Sequence, residues 1–156
     1  MDDIRQKLAE KAAELFLQGY NCAQAVFMAF SDVTGISETE SARIASSFGG
    51  GMGRMREVCG AVSGMLLAAG VLYGYTDPQD DEQKMAHYAL VQQLAGQFRE
   101  DAGSIICREL LDNPPADPKP SPRTADYYAE RPCSRFVLLA GRILDEYIAQ
   151  HPVGAK

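Results

Sequence analysis

Ile4, Leu8, Ala12, Leu15 and Phe16 recur at helical spacing with acidic and basic residues between them, so the chain opens on an amphipathic helix. Gly19, suited to the left-handed turn that follows a helix, ends it. Asn21 can then cap a second helix, CAQAVFMAFSDV, by accepting a backbone N–H bond, and Gly35 closes it. Ser37 with Glu40 three positions later predicts a capping box for a short third helix reaching Ser46. Beyond it Gly49, Gly50, Gly51 and Gly53 are too permissive for a helix interior and predict a tight loop.

A long apolar helix is predicted over residues 57–73, with Asp77-Pro78 marking the next turn. Residues 80–100 carry Ala86, Leu90, Leu94 and Phe98 on one stripe opposite glutamines and charges, which reads as a surface-lying helix. Gly103-Ser104 opens a short one, IICRELL. From residue 112 to 132 six prolines interrupt a polar stretch, and no helix is expected there; loops of this length usually act as lids, wraps or linkers. The last helix, CSRFVLLAGRILDEYI, sets Phe136, Ala140, Ile143 and Tyr147 on one face, with Val137, Leu144 and Ile148 beside it. With no strand-like alternation anywhere, the expectation is all-α: one domain over residues 1–156, a bundle of about five or six helices with a proline-rich loop before the last.

A length of 156 residues with 46% hydrophobic content suits one core. The formal charge of −6 and pI near 4.9 argue against a surface that neutralises phosphates, so no nucleic-acid partner is expected. The first residues are charged and amphipathic, unlike a secretory signal, and the apolar stretch from Cys59 to Tyr75 is glycine-broken and short of a span. A cytoplasmic protein with no membrane insertion is the expectation.

In a reducing compartment four cysteines suit metal binding or redox chemistry better than a permanent disulfide framework, with small core thiols as the plain alternative. Cys22, Cys59, Cys107 and Cys133 are scattered, and no CxxC brings two sulfurs together locally. Placed on the predicted helices, however, each falls in a first turn: after the Asn21 cap, after the glycine loop, three residues past Ser104, and after Pro132. Free N–H groups and the helix dipole favour an anion there. A contribution on the order of 1.4 kcal/mol lowers a thiol pKa by about one unit from roughly 8.5. Four such sulfurs gathered in one place would need relief by a disulfide, a cation or an iron–sulfur cluster.

Around Cys59, Gly60 and Gly64 share a helix face and let another backbone or a ligand approach, and Ser63 lies one turn beyond the sulfur, where it could donate to it. Gly60/Gly64 and Gly70/Gly74 can equally be packing notches, the preferred reading for the second pair. Gly50, Gly51 and Gly53 with Arg54 and Arg56 could cradle a small anion, although a flexible turn whose arginines pair with nearby acids is the preferred reading. The loop is no Walker or dinucleotide motif. His87 reads as a core-border histidine and His151 as a helix-ending residue. Tyr127 and Tyr128, just ahead of Cys133, can either cover the cysteines or simply anchor the loop.

Cys22, the run Cys59-Gly60-Ala61-Val62-Ser63-Gly64, Cys107 and Cys133 together resemble the C_GCAxxG_C_C family, small bacterial and archaeal proteins described as redox-active. The run reads C-G-A-x-x-G, with the first two letters in the opposite order to the family label. The similarity extends from about residue 19 to 135. It implies a redox role for Cys22, Cys59, Cys107 and Cys133, and no particular substrate.

Three readings follow. One is thiol/disulfide chemistry with Cys59 as the attacking thiolate and a redox partner protein or small thiol as the other reactant. Another uses the same four cysteines as ligands to a metal ion or iron–sulfur cluster. The third is a helical interaction protein with structural thiols. A homo-oligomer is compatible with all three.

Overall fold

The computed structural model describes residues 2–153; Met1, residues 154–156 and the side chains of residues 2–6, Ile4 among them, lie outside it. The amphipathic start forms α1 (Asp2–Leu17), with Ala12, Leu15 and Phe16 buried and Gly19 in the left-handed turn at φ 110°. At Asn21 both halves of a capping box form. Its side chain accepts from the Gln24 amide at 2.8 Å, and the Gln24 side chain accepts from the Asn21 amide at 3.1 Å. The predicted 12-residue helix is divided at Phe30 into α2 (Cys22–Ala29) and α3 (Ser31–Thr34), closed by Gly35. The bend leaves Phe30 fully buried and lets the Ser31 hydroxyl donate to the Ile36 carbonyl, contacts that periodicity does not register. Ser37 caps α4 (Glu38–Ala45), but Glu40 turns to Arg43 instead of completing a box.

The long apolar helix, α5 (Gly60–Tyr73), begins three residues later than predicted. Its expected first residues pair across the chain instead: Val58 and Ile106 form an isolated antiparallel bridge, Cys59 N donates to Ile105 O at 2.7 Å, and Cys107 N donates to Glu57 O at 2.6 Å. The same pairing holds Ile106 extended and shortens the next predicted helix to α7 (Cys107–Leu110). Between them runs α6 (Asp81–Ala102), capped by Asp80. Leu90, Leu94 and Phe98 are buried but Ala86 is exposed, so this helix engages the core only from Leu90 onward.

A helix does survive in the proline-rich segment. The prolines end at Pro122 and resume only at Pro132, leaving room for Thr124 to accept from the Tyr127 amide and start α8 (Ala125–Glu130). The last helix is α9 (Cys133–Gln150). Among the described residues there is no named strand, and the protein is all-α.

Helix α2, which carries no charged residue, lies at the centre against α1, α4, α5 and α9. Phe16, Phe27, Phe30 and Phe98 are fully buried, each contributing about 1.5–3 kcal/mol by transfer from water. Helices α1 and α9 approach closely where a Cβ on Gly141 would lie 3.0 Å from Ala9 Cα. This packing fixes the start of α2 beside the starts of α5 and α9, which is where the cysteines stand.

Candidate functional site

Three cysteines open helices: Cys22 is the first residue of α2, Cys107 of α7 and Cys133 of α9, while Cys59 is the residue that caps α5. All four are free thiols and all four line one cavity of about 290 Å³. Cys59 and Cys107 are 7% and 6% exposed; Cys22 and Cys133 are half-buried. The bridge at Val58 and Ile106 pairs Cys59 with Ile105 and Cys107 with Glu57, so the two cysteines lie diagonally across one short backbone ladder, although they are far apart in sequence.

Glycines seat the sulfurs. A Cβ on Gly60 would come within 2.8 Å of Cys22 Sγ and 3.0 Å of the Phe48 carbonyl oxygen, so only hydrogen at that position leaves room for the thiol. A Cβ on Gly51 would lie 2.7 Å from Cys107 Cβ. Gly64 faces the Ala23 carbonyl oxygen, where a Cβ would sit 2.6 Å away, and it serves helix contact outside the cavity lining. Of the other residues proposed to hold a ligand, Gly50, Gly53, Arg54 and Gly60 line the cavity, whereas Gly51 and Ser63 do not. The Ser63 amide donates to the Cys59 carbonyl at 3.1 Å, and among the described residues its hydroxyl makes no bond to the sulfur.

The glycine loop is a turn of unusual hand. Residues 50–54 all have positive φ: Gly50 66°, Gly51 74°, Met52 72°, Gly53 59° and Arg54 68°, followed by Arg56 at 62°. For Met52, Arg54 and Arg56 this costs roughly 1–2 kcal/mol each. The turn is held by long-reach backbone bonds, Arg56 N to Gly50 O at 3.2 Å and Glu57 N to Gly51 O at 2.8 Å. Its effect is to deliver Arg54 and Arg56 to the cavity wall.

Among the described residues neither arginine pairs with an acid, in contrast to the preferred reading of the sequence. Arg54 donates to the Asp117 carbonyl at 2.9 Å and the Ser121 hydroxyl at 3.1 Å. Arg56 donates through Nε to the Pro115 carbonyl at 2.9 Å and through Nη1 to Cys107 Sγ at 3.7 Å. Arg123 and Arg131, from the proline-rich segment itself, complete the wall; their part was not foreseen, and the basic residues inside a segment read as a cover were the available signal. The Arg123 guanidinium lies 4.5 Å from the Phe16 ring centre and donates to the carbonyls of Phe16 and Tyr20. Arg131 stands over the Tyr127 ring. Thus residues 112–132 form a strap tied down by arginines, with Tyr127 lining the cavity and Tyr128 set edge-on against Phe16. Away from the site, half-buried His87 packs against Tyr75, and His151 follows α9 stacked on Tyr147.

Helix starts do not lower these pKa values as the sequence suggested. Burial pushes the Cys59 thiol well above its usual value, with the neighbouring Cys22 adding to the rise, and the first-turn amides of Ala61 and Val62 oppose this without prevailing. Cys133 is pushed up to about 12, again chiefly by burial and then by Cys22, with Arg131 opposing. Cys107 is raised by burial, moderated by the Arg56 guanidinium at its sulfur. Desolvation outweighs the helix-start amides at Cys59 and the neighbouring arginines at Cys107 and Cys133. Cys22 is the one sulfur whose charge would be felt by each of the others.

Among the described residues no three of His, Cys, Asp and Glu are grouped closely enough to hold a metal ion. The four sulfurs share a cavity without forming a ligand set, so the residues do not fit a metal or cluster site as they stand.

A family described as "Putative redox-active protein (C_GCAxxG_C_C)" matches residues 20–147, spanning all four cysteines. The chain belongs to this family. No curated protein and no solved structure matches it. Membership in the C_GCAxxG_C_C family agrees with the layout of Cys22, Cys59, Cys107 and Cys133 around one cavity. Among the described residues no helix is long and apolar enough to cross a membrane.

Proposed function

We propose that this C_GCAxxG_C_C protein carries out thiol–disulfide exchange in the cavity beneath the strap. The observation that carries this reading is that four cysteines from four separate helix starts line one space. The raised thiol pKa values keep the reduced state largely protonated and slow to react until a partner enters. Cys22 is the better first nucleophile than Cys59, because it is half-buried where Cys59 is sealed, and because it neighbours the other three sulfurs.

In the reducing direction the Cys22 thiol loses its proton and attacks a disulfide of a partner protein or small molecule. One partner sulfur leaves as a thiol after taking up a proton, and a mixed disulfide remains. A second cysteine of the cavity then attacks Cys22, releasing the other partner sulfur and forming an intramolecular disulfide. Two electrons and two protons pass from the cysteine pair to the partner.

Titration of free thiols on mild oxidation tests this, with the bonded pairs mapped by mass spectrometry. Thiols should disappear two at a time, and Cys22→Ser should remove every pairing that includes Cys22 while leaving helix content unchanged. Four thiols that stay free at every oxidant concentration would overturn the reading.

A further inference from the structure

The charged side chains lining the cysteine cavity are all of one sign: Arg54, Arg56, Arg123 and Arg131, with no Asp, Glu or Lys among them. In a chain of formal charge −6, this concentration of cations is set against the overall balance. Among the described residues, the ion pairs of this protein join Lys11 to Glu38, Arg43 to Glu40 and Arg108 to Glu57, so none neutralises a cavity arginine. Three of the thiols do not serve as counterions either, since burial keeps Cys59, Cys107 and Cys133 protonated at neutral pH.

Arg56 is the decisive member. It is only 3% exposed, and two of its nitrogens are committed, to the Pro115 carbonyl and to Cys107 Sγ. Its third nitrogen, Nη2, is buried and has no hydrogen-bond partner among the described residues. A guanidinium has five donors in a rigid fork, and leaving a buried charged donor unpaired is costly. The backbone nevertheless accepts positive φ at Arg54 and Arg56, in the turn that brings both to this wall. Strain spent on placing an unneutralised cation makes physical sense when an anion completes it.

We propose that the cavity is a binding site for a small oxyanionic ligand, a carboxylate, sulfonate or phosphate group whose oxygens accept from Arg56 Nη2 and are neutralised by Arg54, Arg123 and Arg131. A volume of about 290 Å³ holds a small molecule and no folded partner. The group sits beside the thiols, so a reactant carrying it is held with its remaining atoms against the four sulfurs. The assignment does not depend on thiol exchange, because binding is measured on fully reduced protein without any exchange partner, and either reading can fail alone.

The experiment titrates reduced protein with inorganic phosphate, sulfate and acetate at constant ionic strength set by chloride, following thermal unfolding and the rate of cysteine alkylation. At least one of the three should raise the unfolding temperature and slow alkylation, both saturably. Arg56→Gln should weaken that binding tenfold or more, while Arg43→Gln, an exposed arginine outside the cavity, should leave it unchanged. If Arg56→Gln does not fold, Arg131→Gln takes its place and should weaken binding at least threefold. No saturable effect of any of the three anions on the wild-type protein, or unchanged binding in the folded cavity variant, would overturn the proposal.

Discussion

Helix α5 carries two glycine pairs with identical spacing, Gly60/Gly64 near its start and Gly70/Gly74 at its end, and the two do different work. At the first end, missing side chains admit the Cys22 sulfur at Gly60 and the Ala23 backbone at Gly64. At the second, a Cβ on Gly70 would meet nothing within 4 Å, and one on Gly74 would collide with the Gly70 carbonyl oxygen where the helix closes. The second pair is therefore no packing notch. Close approach at the cavity end is what places α2 and its cysteine against α5; the far end uses glycine only to stop. Spacing alone cannot separate the two, because both put glycines on one face.

The largest expected difference comes from the same substitution made at both ends. Gly64→Ala drives a methyl to 2.6 Å from a carbonyl oxygen of the central helix, which cannot swing aside as a side chain would. Overpacking of this kind costs about 3 kcal/mol. Denaturant unfolding should show that loss, together with faster alkylation of Cys22 as α2 shifts away. Stability within about 0.5 kcal/mol of wild type would mean that the helices do not meet as closely as described.

A smaller effect separates the two ends by pH. Cys133, at the cavity, is lifted from 9.0 to about 12. At the far end the Tyr73 phenol is also raised, by partial burial and by Tyr147, but it stands nearer solvent. A group whose pKa rises on folding binds its proton more tightly in the native state. Its contribution is complete below the unfolded pKa and is lost as pH climbs through the folded one. For Cys133 the decline therefore runs from about pH 9 to about pH 12, with a loss on the order of 1 kcal/mol by pH 10. Wild type and Cys133→Ser, compared by urea unfolding across that window, should diverge by this amount, and Tyr73→Phe should diverge less. Parallel curves for wild type and Cys133→Ser would mean that the thiol is hydrated in the native protein.

The helices were legible because each leaves a local record: a 3.6-residue stripe in α1, α6 and α9, and a capping residue at Asn21 and Ser37. Placing the cysteines at helix starts needed nothing more. What could not be read are the long-range pairings. The bridge between Val58 and Ile106 takes backbone groups that each segment could have used for its own helix, so both helices were drawn too long. Helix α8 was missed because proline count was read over the whole segment, whereas the gap from Arg123 to Arg131 is what decides whether a turn can form. The fate of the thiols was misjudged for a related reason. A helix start is a sequence property and burial is not, and at Cys59 and Cys133 burial is the larger effect.

The smallest effect tests the open end by itself. Gly70 is helical, half-buried and faces empty space, next to Val71, which is 38% exposed. Alanine there adds a methyl without contact and removes the entropy penalty of glycine in a helix interior, so Gly70→Ala should stabilise by roughly 0.5–1 kcal/mol. The same substitution thus changes sign between Gly64 and Gly70, six residues apart on one helix. Thermal unfolding at two protein concentrations, with light scattering, checks it. A gain independent of concentration leaves the face bare. A loss accompanied by a fall in molecular mass would mean that a second copy of the chain packs against Gly70, and the far end of α5 would then be a notch after all, one whose partner lies outside the monomer.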